Sequence, residues 1–280
     1  MVPAASRRRV GDRRLRVSVH GRRRPGVAPL LLINGLGAPL ELFEPLREAL
    51  GDRLTVAFDA PGVGGSPTPW YPPTMRCLAG MVAGLIGDLS RELGPEAGRG
   101  RMDVLGLSWG GALAQELAHR HPQRVRRLVL AATTPGVVSL PGPPAAMAVV
   151  ASPARYYFPA YLRAVATLLY GREVLRHPEL FERHVALRTT MAPDPVGYAY
   201  QVAALRRWSS LPWLRHLDQP TLVLAGDEDS IVPLPNARLM ACAIPGAHLH
   251  VERKAGHLFL LLRAAQLAPL VGSFLDEPTG

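Results

Sequence analysis

The chain has 280 residues, 48% of them hydrophobic, enough to bury a substantial core and too apolar for a disordered chain. Its formal net charge of +10 rests on arginine, since Lys254 is the only lysine; the arginines form no nucleic-acid-binding motif and read as a solvated basic surface. Cys77 and Cys242 stand far apart and show neither a disulfide framework nor metal-ligand spacing, which fits a reducing compartment.

At the start, Arg7-Arg8-Arg9 imitates a twin-arginine export signal. The residues that follow, Val10-Gly11-Asp12-Arg13-Arg14, contain no apolar segment, so a cytoplasmic protein is expected. Residues 14–20 predict an early strand. Residues 29–33 form an unbroken apolar run, as in a strand covered on both faces. Helical spacing over 40–50 ends at Gly51, residues 54–58 predict the next buried strand, and 75–93 a helix. A strand over 101–105 leads into Gly106-Leu107-Ser108-Trp109-Gly110. The helix after it runs to His121, where Pro122 stops it, and 125–132 supply another strand. This alternation predicts a mostly parallel sheet with helices on both faces and right-handed crossovers.

The rhythm then breaks. From 133 to 218 no strand pattern is evident; a proline-rich entry precedes helical patterns over 161–170, 173–188 and 196–208. The uncharged stretch 136–154 carries Pro141, Pro143, Pro144 and Pro153 and cannot be a simple membrane-spanning helix. Strand and helix resume at 221–225, 235–243 and 247–252, with a last helix over 258–275. The organisation expected is a discontinuous core, 1–132 and 219–280, with 133–218 inserted as a helical cap over the carboxyl ends of the strands.

Gly-x-Ser-x-Gly between a strand and a helix is the nucleophile elbow of an α/β-hydrolase fold, in which glycines allow a sharp turn that lifts a strained serine above the sheet. A serine hydroxyl needs a base to take its proton, and the base needs a carboxylate to hold its tautomer. In this fold the order is serine, acid, histidine. After Ser108, the resumed strand ends in Gly226-Asp227-Glu228-Asp229 and the final strand is followed by Ala255-Gly256-His257. Asp229 is the expected acid, three residues past the glycine and ahead of Ile231-Val232-Pro233; Asp227 and Glu228 read as turn and surface carboxylates.

The oxyanion should meet the backbone N–H of Trp109 and that of Leu36 in Asn34-Gly35-Leu36-Gly37, with Asn34 orienting the loop. Phe58 to Ser66 contains three glycines but no phosphate-loop ending and reads as a turn that buttresses the Asn34 loop, with Asp59 and Ser66 bonded to backbone. His119 and His121 sit at a helix end, and His248 and His250 alternate along a strand. No histidine, cysteine or carboxylate set has metal spacing, and no cofactor is expected. Asn34, Trp109 and the cap aromatics Tyr156, Tyr157 and Trp208 are the candidate substrate pocket, although cap core is the commoner place for any one cap aromatic.

The segments NGLGAPLELFEPL, FDAPGVGGSPTP, GLSWGGALAQELAHRHPQRVRRLVLAAT, SPARYYFP, QPTLVLAGDEDSIVPL and GHLFLL together resemble the intracellular depolymerases of medium-chain-length poly(3-hydroxyalkanoates). The resemblance spans residues 30–262. It implies Ser108, Asp229 and His257 as the triad and a cytoplasmic enzyme that cleaves stored polyester to 3-hydroxyalkanoic acids or oligomers. It implies a hydrophobic polyester or acyl-ester substrate and a storage-granule surface as partner, with no nucleic acid and no membrane span. Ser230 departs from the proline frequent after the acid. A general carboxylesterase or lactonase with the same triad and a non-catalytic granule protein remain the alternatives; a proline iminopeptidase would need acidic cap residues to hold a substrate amine, and the cap offers few, chiefly Glu173, Glu179, Glu182 and Asp194.

Overall fold

Five short runs are buried along nearly their whole length, which commits them to the middle of a sheet covered on both faces. They are Leu30–Ile33, Thr55–Phe58, Met102–Leu107, Val125–Ala131 and Thr221–Gly226. A computed structural model describes residues 5–93 and 100–278; residues 1–4, 94–99 and 279–280 of the expected core segments lie outside the described residues. With Ser6–Val10, Arg13–His20 and His248–Glu252 these runs make eight strands, β1 to β8 in chain order, joined in the sheet order β1-β2-β4-β3-β5-β6-β7-β8. The two pairs β1/β2 and β2/β4 are antiparallel, and β4 through β8 run parallel.

Alternation along each strand splits the core into two layers. Leu31, Ile33, Val56, Phe58 and Val104 face one layer, shared with helices α2 (Met75–Leu93) and α3 (Trp109–Arg120). Leu30, Leu32, Ala57, Leu105 and Leu107 face the other. That layer is shared with α1 (Glu44–Ala49) and the two carboxyl-terminal helices.

The chain runs from β3 outward to β4, then returns to place β5 on the other side of β3. This reversal opens a crevice at the carboxyl ends of β3 and β5, where ligands bind in open α/β sheets. The loop at Asn34 and the turn at Ser108 are therefore neighbours although 74 residues separate them.

Between β6 and β7 the chain forms only helices: α4 (Pro144–Ala151), α5 (Ala154–Tyr157), α6 (Pro159–Tyr170), α7 (Pro178–Thr190) and α8 (Pro195–Arg206), with short 3-10 turns. Helix α4 occupies the proline-rich entry, where the sequence pattern predicts no helix. Pro144, Pro159, Pro178 and Pro195 each stand at the first helical position, where a missing N–H costs nothing and the fixed φ favours the helix. The two ends of the insertion are pinned together. Val137 donates to the Trp208 carbonyl at 2.9 Å and Ser210 to that of Pro135 at 2.9 Å.

Helix α9 (Leu234–Ala243) lies between β7 and β8. The single final helix expected over 258–275 is two, α10 (Phe259–Leu262) and α11 (Ala264–Asp276). They part at Arg263, whose guanidinium turns to Glu173, to Glu252 at 2.6 Å and to the Lys254 carbonyl at 2.8 Å.

The arginine-rich start is β1, an edge strand reading only as charge in the sequence. Many arginines are spent within the molecule: Arg8 pairs with Glu92, Arg16 with Glu41 and Asp59, Arg126 with Asp103, and Arg183 with Glu44. No helix among the described residues is long and apolar enough to cross a membrane.

Candidate active site

Strand β5 ends and α3 begins within a single residue, Ser108, held at φ 54°, ψ −118°. A non-glycine residue there is strained, and the strain is tolerated because the surrounding backbone over-determines it. Ser108 donates its N–H to the Ala131 carbonyl at 2.9 Å, and its own carbonyl accepts from the Thr133 hydroxyl at 2.6 Å. The flanking glycines are needed for close approach. A Cβ on Gly110 would lie 2.1 Å from the Ile33 carbonyl oxygen, and one on Gly106 2.4 Å from that of Gly110.

The resumed strand β7 delivers Asp229 and the turn after β8 delivers His257. His257 Nε2 lies 3.0 Å from Ser108 Oγ, and its Nδ1 lies 2.8 Å from Asp229 Oδ2. The other carboxylate oxygen of Asp229 accepts from the Ile231 and Val232 N–H groups, both at 2.8 Å. Asp229 thus has both oxygens occupied and is locked in orientation, with the side chain all but sealed from water. Asp227 instead accepts from the Ala255 N–H at 3.3 Å, tying the two turns together. The arrangement can move a proton from the serine to the imidazole while a buried carboxylate holds the ring.

Facing Ser108 is the loop after β3. An ideal Cβ on Gly35 would stand 3.5 Å from the Ser108 Cβ, so the backbone of this loop lies directly against Ser108. Asn34 donates to the Pro39 carbonyl at 2.7 Å and accepts from the Gly35 N–H at 2.8 Å, so both ends of its amide are spent on the loop. Asp59 accepts from the Leu40 N–H at 2.8 Å and the Gly65 N–H at 2.9 Å, and Ser66 donates to the Asp59 carbonyl at 2.7 Å. The Asp59–Ser66 turn therefore braces the loop from behind.

The insertion reaches the same loop from above. Tyr156 donates its hydroxyl to the Leu36 carbonyl, Gln201 accepts from the Gly37 N–H at 2.9 Å, and the Trp109 indole donates to the Gln201 carbonyl at 3.0 Å.

A cavity of about 210 Å³ opens on Ser108 and His257. Asn34, Leu36 and Trp109 line it, with aliphatic walls from Leu107, Leu140, Met147, Val150 and Ile231. Three of the expected pocket residues do not line it. Tyr156 is fully buried between Tyr198 and two arginines, Tyr157 is exposed and donates to the Pro193 carbonyl, and Trp208 donates to Glu116 of α3 at 2.8 Å. Aromatic character alone points to these three, whereas the aromatics on the cavity wall are Trp109 and Tyr170, set among aliphatic side chains and two arginines, Arg155 and Arg188.

Glu173 and Asp194 do not reach the cavity either. Glu173, fully buried, pairs with Arg263 and accepts from the Gly256 N–H at 3.0 Å, while Asp194 caps α8 through the Val196 and Gly197 N–H groups. Neither is free to hold a substrate amine. Gln201, which bridges the Gly37 N–H and the Trp109 indole, and Arg188 on the cavity wall carry no signal in the sequence pattern, and Glu173 bears on the site through the Gly256 N–H beside His257 and not as an amine ligand. Among the described residues no group of three or more histidines, cysteines or carboxylates is placed to hold a metal ion.

Residues 28–264 match the family model of the alpha/beta hydrolase fold. The chain is 44% identical to the poly(3-hydroxyalkanoate) depolymerase of Ectopseudomonas oleovorans over 91% of its own length and 86% of that protein's. It is 32% identical to the 2-hydroxymuconate semialdehyde hydrolase of Pseudomonas sp. strain CF600, over 89% and 87% of the two chains. The crystal structure of the enol-lactonase from Burkholderia xenovorans LB400 superposes with a TM-score of 0.81 at 27% identity, covering 97% of this chain and 100% of the other. An eight-stranded sheet of this order, a serine at the strained elbow and this extent of identity lead to one conclusion: the chain belongs to the α/β-hydrolase family, and within it to the poly(3-hydroxyalkanoate) depolymerases.

Proposed function

We propose that this protein hydrolyses the ester bonds of medium-chain-length poly(3-hydroxyalkanoate), releasing 3-hydroxyalkanoic acids or oligomers through an acyl-enzyme on Ser108. The observation that carries the reading is the continuous hydrogen-bonded series Asp229–His257–Ser108 opening on an apolar cavity. His257 Nε2 takes the Ser108 proton as Oγ attacks the ester carbonyl, and Asp229 stabilises the imidazolium. The backbone N–H groups of Leu36 and Trp109 hold the oxyanion. The imidazolium then gives its proton to the departing alcohol. Water, deprotonated by the same histidine, cleaves the acyl-serine and regenerates the hydroxyl.

Residues 133–218 act as a cap that shapes the substrate cavity. Exposed Val137, Val138 and Leu140 beside the cavity wall give the enzyme an apolar contact with a storage granule in the cytoplasm. The test is release of 3-hydroxy acids from amorphous medium-chain polyester granules by wild type and by Ser108→Ala. Release by wild type only is expected. Cleavage of p-nitrophenyl octanoate without release from granules would make the protein a general carboxylesterase, and unchanged release by Ser108→Ala would remove the serine from the mechanism.

A further inference from the structure

The cavity holds a charge that the hydrolytic machinery does not use. Arg188, near the end of α7, is only 7% exposed, yet it lines the same cavity as Ser108 and His257. Its Nε and Nη1 are buried with no hydrogen-bond partner. Its guanidinium lies 4.6 Å from the centre of the Tyr156 ring, which offsets only part of the lost hydration. Arg155 approaches the same ring at 4.9 Å, but it donates to the Val149, Val150 and Ser152 carbonyls. Tyr170, also on the cavity wall, has a buried hydroxyl with no partner. No aspartate or glutamate is among the described residues lining the cavity. His184, one turn before Arg188, is held neutral by burial and by the charges of Arg188 and Arg155, which push its pKa well below the ordinary value. It adds no charge, and it supplies no counter-charge.

A buried guanidinium without a partner is costly, and an incoming anion completes it with charge-assisted hydrogen bonds. We propose that Arg188, with the Tyr170 hydroxyl, is a subsite for a free carboxylate, which makes the enzyme cleave its polyester from the carboxyl end. The proposal rests on the ester-hydrolase reading and assigns its direction. Every internal carbonyl of the polymer is a neutral ester, and the terminal carboxylate is its one anion. That carboxylate belongs to the last unit, the one that departs as the alcohol. With it on Arg188, the penultimate ester carbonyl is presented to Ser108. The serine–acyl bond forms, the ester C–O bond breaks, and the departing hydroxyl takes the proton from His257. The last unit leaves as a 3-hydroxy acid. Water then cleaves the acyl-serine and creates a new terminal carboxylate, ready for the same subsite.

The experiment compares a 3-hydroxyoctanoate pentamer bearing a free carboxyl with the same pentamer as its methyl ester. Wild type should favour the free acid in kcat/KM by roughly tenfold to a hundredfold, the worth of a hydrogen-bonded charge. Monomer and tetramer should be the first products. Arg188→Met should bring the ratio of the two substrates close to one, whatever its absolute activity, and Arg188→Lys should retain part of it. A measurement on wild type alone guards against misfolded variants: octanoate should inhibit p-nitrophenyl butyrate hydrolysis at least about tenfold more strongly than octanamide. Equal cleavage of the two pentamers by wild type, or equal inhibition by the two octanoyl compounds, would overturn the subsite and leave the ester-hydrolase reading standing. Cleavage of neither pentamer would take both down.

Discussion

Replacing Asp229 by Asn tests the site most sharply, because the carboxylate has three hydrogen-bond donors to satisfy and an amide cannot serve all of them. In the native arrangement one oxygen accepts from the Ile231 and Val232 N–H groups and the other faces His257 Nδ1, all at 2.8 Å. If the asparagine oxygen keeps the two backbone donors, its NH₂ faces Nδ1. The ring must then carry its proton on Nε2, where it points at Ser108 Oγ and can no longer accept the serine proton. If the amide flips, the NH₂ confronts two N–H donors and two hydrogen bonds are lost. Either way the base is disabled while the shape of the site survives. A wrong tautomer in such a triad lowers kcat by about 10³ to 10⁴, or roughly 4–5.5 kcal/mol of transition-state stabilisation. KM should change little, since Asp229 is not on the cavity wall. Steady-state hydrolysis of p-nitrophenyl octanoate by wild type, Asp229→Asn and Asp227→Asn measures this directly, with thermal denaturation as the folding control. An Asp229→Asn kcat within about tenfold of wild type, or an Asp227→Asn that is the inactive one, would refute the reasoning.

Gly110→Ala should cost about 1–3 kcal/mol or more in chemical denaturation and depress activity, because its Cβ would meet the Ile33 carbonyl at 2.1 Å; by contrast Gly80→Ala, with open space around it on α2, should stabilise by about 0.5–1 kcal/mol. Glu173→Ala should lose about 3 kcal/mol of stability and lower kcat together, since Glu173 pairs with Arg263 and holds the Gly256 N–H next to His257 at 3.0 Å; unchanged values in both assays would count against it. Asp103 is fully buried, and burial, opposed by Arg126, raises its carboxyl from 3.8 to about 6. A carboxyl raised on folding favours the native state most below its unfolded value, so this contribution fades as pH climbs from about 4 to about 6 and is constant above. Its size is roughly 3 kcal/mol. Denaturation between pH 4 and 7 should therefore show a smaller loss of stability with rising pH in Asp103→Asn than in wild type, and parallel curves would exclude Asp103 as the cause.

Local patterns carried much of this protein into its sequence. The strand–glycine–serine–glycine–helix turn, the apolar strands and the acid and histidine after their strands all depend on contacts a few residues apart. The Asn34 amide and the Asp59–Ser66 brace were legible for the same reason. Elements were missed where tertiary contacts outvoted composition. The arginine-rich start became β1 because it has β2 to pair with, and the last helix parted where Arg263 turned to buried carboxylates.

Ser108, Asp229 and His257, expected as nucleophile, acid and base, follow one another in that order along the chain, so the sequence by itself pointed to all three and to the fold that orders them. Which side chains face the cavity was decided only when the helices between β6 and β7 met the loop after β3. Packing turned Tyr156 away to support the Leu36 carbonyl and left Arg188 on the wall. An aromatic or an arginine carries no local mark of the surface it will face, because burial is a property of two elements together and not of either one alone.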